Sequence, residues 1–338
     1  MDRRELARKI EAAIERAGRS QVRFTFCRAV SAQEPETALE LEAGAEVYAA
    51  VLAALEREAH ANGLTCIRGE SRTREGWRIA DLRLLSGRKR VWRCKLQEVR
   101  RLLHAAIIID DLGGNLGAAR QLLALPYPLT FSVLPHLCAT AQTATEARRA
   151  GREVMLHLPM QPQASSHASA GQGVLCVGMT GLEVERTLES DLASVPQAVG
   201  VNNHMGSRAT ADPRLMAEVM RVLAARHLFF IDSRTTPASV ALEAARRQGI
   251  PAFYRSVFLD DTETVPYTLE QLRRFRRVLE QQGAALAIGH PYPSTIAALA
   301  KFLPEFEKDG VDLTAASQLL RLPEVARLKP PPPSPAAR

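Results

Sequence analysis

Ala105, Ala106, Ile107, Ile108 and Ile109 run directly into Asp110 and Asp111, and then into Leu112, Gly113 and Gly114. An unbroken apolar, β-branched run closed by a glycine turn reads as a strand covered on both faces, as in a parallel sheet. Successive strand residues point to opposite sides, so the two carboxylates are expected to do different jobs. One suits a cation, the other a proton.

The surroundings repeat that pattern. Strand candidates fall at 105–109, 129–134, 153–156, 198–202, 228–231, 252–259, 284–288 and 311–313, with helical stretches between them. Thr180 with Glu183 and Thr268 with Gln271 have the spacing of capping boxes. Asp212–Pro213 and Thr236–Pro237 look like a cap followed by a first-turn proline. Gly151, Gly249 and Gly283 each stand where a helix would end in a left-handed residue. Seven or eight βα units over 104–322 predict an α/β fold, a distorted (β/α)7–8 barrel with helices outside; a doubly wound open sheet is the alternative.

Polar residues gather where these strands end. Asp110–Asp111 is followed along the chain by His136, His157, His204, Asp232 with Arg234, Asp260–Asp261 and His290. The C-terminal ends of parallel strands share one face, so residues distant in sequence converge there. An Asp with two His suits a borderline divalent cation, zinc above all, with a position left open. A second carboxylate can then take a proton and a further His can give one. His136, Asp232, Arg234 and Asp260 are expected to line the substrate pocket, with Asp232 and Arg234 possible partners in an ion pair. Helix capping is the competing reading of Asp111.

Residues 1–105 hold 21 Lys+Arg against 15 Asp+Glu, a net of +6 within the +7 of the whole chain, so an anionic partner would meet this third first. Leu6, Ile10 and Ile14 mark an amphipathic helix, followed by a strand over 22–27 and a helix over 46–60. A hairpin is expected to pair 77–85 with 91–96. In its second arm Trp92, Cys94 and Leu96 alternate with Arg93 and Lys95, giving one apolar and one basic face. Residues 1–100 thus read as a small basic α+β domain of unknown role. The hairpin is either a binding surface for an anionic polymer or an edge strand blunted by its charges. No nucleic acid partner is expected. The stretch 323–338 reads as a disordered Pro-rich tail.

Five cysteines, Cys27, Cys66, Cys94, Cys138 and Cys176, are odd in number, widely spaced and without a CxxC pair, so neither a zinc ribbon nor a disulfide framework is indicated and reduced thiols are expected. The N-terminal stretch lacks the apolar core of a signal peptide, and no run reaches the ~18 apolar residues of a membrane span. A cytoplasmic protein is expected, or an exported one if the start is misassigned.

The segments IIIDDLGG, MLHLPMQP, VGVNNHMGS, FIDSRT, VFLDD and AIGHPYP, in this order, resemble the divergent polysaccharide deacetylase family (YibQ-like), relatives of the NodB-type deacetylases. The resemblance covers roughly residues 104–322. It implies a metal-dependent N-deacetylase acting on an amino sugar or glycan, with Asp110 as base, Asp111, His157 and His204 as metal ligands, and His290 as general acid. In the NodB-type enzymes the two metal histidines lie four apart on one segment; here they fall on separate strands. Gln161 stands where relatives usually carry Glu, and Ser256 where they usually carry Asp. A non-catalytic glycan-binding protein, or an amidohydrolase of non-carbohydrate amides, are the alternatives.

Overall fold

Apolar residues at spacing four near the N-terminus and continuous apolar runs beyond residue 104 build two units, Met1–Leu103 and His104–Arg338. The computed structural model describes residues 3–18, 21–28, 37–73, 76–87, 89–99, 102–163, 171–323 and 325–328. The Pro-rich stretch from residue 329, and His167, lie outside the described residues.

The first unit runs α1 (Arg3–Gly18), β1 (Val22–Arg28), β2 (Thr37–Gly44), α2 (Tyr48–Ala61), β3 (Thr65–Arg72), β4 (Arg78–Ser86) and β5 (Lys89–Val99). Its sheet has the order β1-β2-β5-β4-β3. Leu6, Ile10 and Ile14 of α1 are buried in one cluster with Leu39, Leu41, Trp92, Cys94 and Leu96. The expected hairpin is β4 and β5. However, β5 also pairs in parallel with β2, so it is an interior strand and the edge-strand reading of its charges is overturned. Strand β2 went unread in the sequence despite the buried alternation of Leu39, Leu41 and Ala43. Cys66, Cys94, Cys138 and Cys176 are free thiols.

The second unit runs β6 (Leu103–Leu112), α3 (Leu116–Leu123), β7 (Thr130–Val133), α4 (Thr140–Arg149), β8 (Glu153–Met160), α5 (Gly181–Ser194), β9 (Gly200–Met205), α6 (Pro213–Ala225), β10 (Phe229–Asp232), α7 (Ala241–Arg247), β11 (Ala252–Tyr254), β12 (Val257–Phe258), α8 (Val265–Gln282), β13 (Ala284–Gly289), α9 (Pro293–Lys308), β14 (Val311–Thr314) and α10 (Ala316–Leu320). The sheet order is β11-β10-β9-β8-β7-β6-β13-β12, with β14 beside β6. From β11 round to β12 the pairings are parallel. The stretch expected as one strand, 252–259, is split, because its halves pair with opposite edges. Arg255 donates its amide to Asp232 O at 2.9 Å, and Ser256 donates its own to Leu286 O at 2.7 Å. One short stretch thus supplies both edges, and the sheet curls round into the distorted barrel.

Ile107, Ile108 and Ile109 at its centre are wholly buried, as a two-sided apolar run requires. Thr180 and Glu183 form the expected capping box, and Asp212 caps α6 by accepting from Leu215 N at 2.7 Å. Thr268 does not cap. Pro266 sits in the first turn of α8, the cap is Thr264, and the Thr268 hydroxyl donates back to Thr264 O. Thr236–Pro237 likewise makes a turn ahead of α7 and not its start. Gly151, Gly249 and Gly283 are left-handed, at φ 72°, 70° and 81°. Among the described residues no helix is long and apolar enough to cross a membrane.

Candidate metal centre

Four non-glycine residues at strand ends adopt the left-handed conformation: Asp111 (φ 54°), His136 (59°), Met205 (52°) and Arg234 (50°). Such residues cost energy and collect where surrounding structure holds a site in place. At Asp111 the consequence is direct. Its turn breaks strand alternation, so Asp110 and Asp111 do not face opposite ways as expected. Both reach His157 Nε2, Asp111 through Oδ1 at 3.1 Å and Asp110 through Oδ2 at 3.5 Å. Nor does Asp111 cap the next helix; Asn115 does.

His157 and His204 come together because β8 and β9 are parallel neighbours, with Pro159 opposite His204. His204 Nδ1 lies 2.9 Å from Asp111 Oδ1 and 3.2 Å from His157 Nε2. One atom from each of Asp111, His157 and His204 thus falls within a single small cluster. These separations approach the ~3.3–3.6 Å edges of a tetrahedron with ~2.0–2.2 Å bonds. Asp111 Oδ1 is buried and accepts no hydrogen bond, even with two ring nitrogens beside it. An orphaned oxygen among converging nitrogens fits a shared cation. Burial by itself would raise the Asp111 carboxyl, but His157 and His204 hold it far below the usual carboxylate range, ionised as a ligand must be.

Asp110 is 3% exposed. Burial pushes its carboxyl upward, against the charges of His157 and His290 and a hydrogen bond from Asn202. On the other side, His290 Nε2 stands 3.7 Å from Asp111 Oδ2. Asp260 holds that ring, taking His290 Nδ1 at 3.0 Å, the His290 amide at 2.6 Å and the Thr295 hydroxyl at 2.6 Å. Burial disfavours the imidazolium, yet the Asp260 bond and the Asp110, Asp260 and Asp111 charges raise its pKa to about 9. The Asp260 side chain is buried with both oxygens occupied, and it orients His290. Phe258 and Tyr292 flank the ring at centroid distances of 5.2 and 5.4 Å.

Asp232 is held in a similar way. It is 2% exposed, and its oxygens accept from the Arg234 amide and the Ser239 hydroxyl, both at 2.8 Å. It therefore secures the left-handed turn at Arg234. His136 joins no metal cluster among the described residues; its Nε2 lies 2.8 Å from Oδ1 of the buried Asp191, whose carboxyl burial pushes up to about 8. Gln161 Oε1 accepts from Val177 N, and Ser256 Oγ from Leu286 N, so both serve neighbouring backbone.

One residue escaped the sequence reading, and the role of another differs from it. Arg255 donates to Ser233 O at 2.6 Å and Arg234 O at 2.9 Å and lies over the Phe258 ring, tying two strand ends together. Asn202, wholly buried on β9, contacts both Asp110 and His157. Its place among the polar residues flanking His204 suggests a group that orients that ring; the ring it contacts is that of His157.

The model of the divergent polysaccharide deacetylase family matches residues 107–320. A Haemophilus influenzae protein is 37% identical over 225 residues, 67% of this chain and 79% of its own length. YibQ of Escherichia coli K12 is 37% identical over 226 residues, 67% of this chain and 70% of its own. Among solved structures, ATU2773 of Agrobacterium tumefaciens C58 superimposes with a TM-score of 0.62 at 24% identity, over 65% of this chain and 89% of its own. The segments that meet at the strand ends lie inside the matched stretch: the chain belongs to the divergent polysaccharide deacetylase family.

Proposed function

We infer that this chain is a metal-dependent hydrolase that removes an N-acetyl group from an amino sugar or polysaccharide, with its chemistry in residues 104–322. The convergence of Asp111, His157 and His204, flanked by Asp110 and His290, carries this reading. Asp111, His157 and His204 would hold the cation, zinc by the chemistry of one carboxylate and two imidazoles. A divalent cation there supplies Lewis acidity toward an amide carbonyl.

The chain's own residues do the rest. His157 presents Nε2 to the cluster because Asn202 takes its other nitrogen at 3.0 Å. Asp110, its carboxyl raised by burial, takes a proton from the attacking water. His290, kept protonated by Asp260, gives a proton to the departing amine as the C–N bond breaks. Water and amide become acetic acid, which ionises to acetate in solution, and free amine; Asp110 then loses the proton it took and His290 regains the one it gave, both through solvent.

The test is acetate release from a panel of N-acetylated amino sugars and glycans by zinc-loaded protein, beside Asp110→Asn and His290→Gln. Release by the wild type and a loss of about 10²–10⁴-fold in each variant is expected. Glycan binding without acetate release would identify a non-catalytic binding protein, and release only from non-carbohydrate amides would move the substrate class.

A further inference from the structure

Asn202 uses its whole hydrogen-bonding capacity at the centre of the site. Its Oδ1 accepts from the Ser132 hydroxyl at 2.6 Å and from His157 Nδ1 at 3.0 Å. Its Nδ2 donates to Asp110 Oδ1 at 2.8 Å and to Ser233 Oγ at 3.2 Å. The amide has one oxygen and one NH₂, so facing a carboxylate with Nδ2 leaves only Oδ1 for the imidazole. That oxygen requires a proton on His157 Nδ1, which leaves the lone pair on Nε2, the nitrogen facing Asp111 and His204. Ser132 lies on β7, two strands away, Ser233 directly follows β10, and Asn203 Oδ1 accepts from the Ser233 amide at 2.9 Å. The serine hydroxyls can donate or accept, so the Asp110 carboxylate sets the orientation: a flipped carboxamide would turn Oδ1 toward it.

We propose that Asn202 is a positioning residue with two simultaneous tasks, setting the tautomer of the metal ligand His157 and the direction of the base Asp110. This rests on the deacetylase reading for the role of Asp110 alone; the His157 task needs only the cation. The residue type matters. A carboxylate at 202 could still accept from His157 and Ser132, but it would turn an oxygen toward Asp110 Oδ1 in place of the N–H. An alanine would abandon both partners.

Asn202→Asp and Asn202→Ala separate the tasks. Zinc affinity, read by competition with a chromophoric chelator, is expected to stay within about threefold in Asn202→Asp and to fall about 10- to 100-fold in Asn202→Ala. In Asn202→Asp, kcat is expected to fall about 10²-fold with KM little changed, because the base is misdirected while the cation remains. Thermal unfolding and circular dichroism establish the folded fraction of each variant. Losses of zinc and activity that merely follow the folded fraction, or an Asn202→Ala with wild-type zinc affinity, overturn the proposal. Wild-type protein that binds zinc but releases no acetate refutes the deacetylase reading and leaves the zinc comparison standing.

Discussion

The two sheets of this chain treat charge in opposite ways. In the first, cations meet anions directly: Arg78 grips Glu98 through Nε at 2.9 Å and Nη2 at 2.7 Å, Arg93 meets Asp81 at 3.1 Å, and Arg68 reaches both Glu56 and Glu70. In the second, two carboxylates and three imidazoles crowd together at strand ends, and Asp111 Oδ1 is left without a hydrogen bond. Paired charge is satisfied and asks nothing further of its surroundings. Convergent, incompletely satisfied charge is a site waiting for a ligand, and its cost is carried by the rest of the barrel.

The contrast breaks most sharply at Asp111. Replacing it with Ala should remove zinc from the purified protein and abolish acetate release, by more than about 10³-fold, while the barrel stays folded once the crowded imidazoles can part. Metal analysis beside far-ultraviolet circular dichroism checks this. His290→Gln should lower kcat by about 10²–10⁴-fold with zinc content unchanged, because that ring stands beside the cluster without completing it. A metal-free His290→Gln would mean that the ring is a ligand.

In the first sheet the effects should be on stability alone. Glu98 is 7% exposed, and its hydrogen bond to Arg78 holds its pKa below the ordinary glutamate range. A depressed carboxyl stabilises the fold above its unfolded pKa, and that stability is lost as pH falls through the folded one. Glu98→Gln should therefore cost about 1 kcal/mol near pH 7, a modest figure because the Arg78 side chain is 42% exposed. The difference from wild type should shrink below about pH 4, as urea titrations at several pH values would show. Arg93→Ala should cost about 0.5 kcal/mol or less, since that pair is open to solvent and screened. A large loss of stability there would mean that the sheet needs the pair after all.

The barrel was legible because buried parallel strands are written as apolar runs, and their ends are marked by residues that have no reason to stand beside such runs. Asp110, Asp111, His157, His204 and His290 were all found that way. What the sequence concealed was backbone geometry. Alternation put Asp110 and Asp111 on opposite faces, whereas the left-handed turn at Asp111 brings both to His157. Asp232 and Asp260 look like pocket residues in one dimension, and only burial shows them occupied with backbone and with His290. The asparagines before His204 read as polar groups able to orient that ring; that Asn202 serves His157 and Asp110 is seen only once its partners on three other strands are known. In the first unit, the charges of β5 resembled edge protection because nothing in the sequence says that β2 pairs beside it in parallel.

X-ray absorption at the zinc edge of the reconstituted protein tests the central claim most directly. The expected result is one zinc per chain with two imidazole nitrogens and a carboxylate oxygen within ~2.0–2.2 Å, and loss of one imidazole in His204→Ala. Protein that takes up no zinc, or zinc whose neighbours are unchanged in His204→Ala, would contradict it.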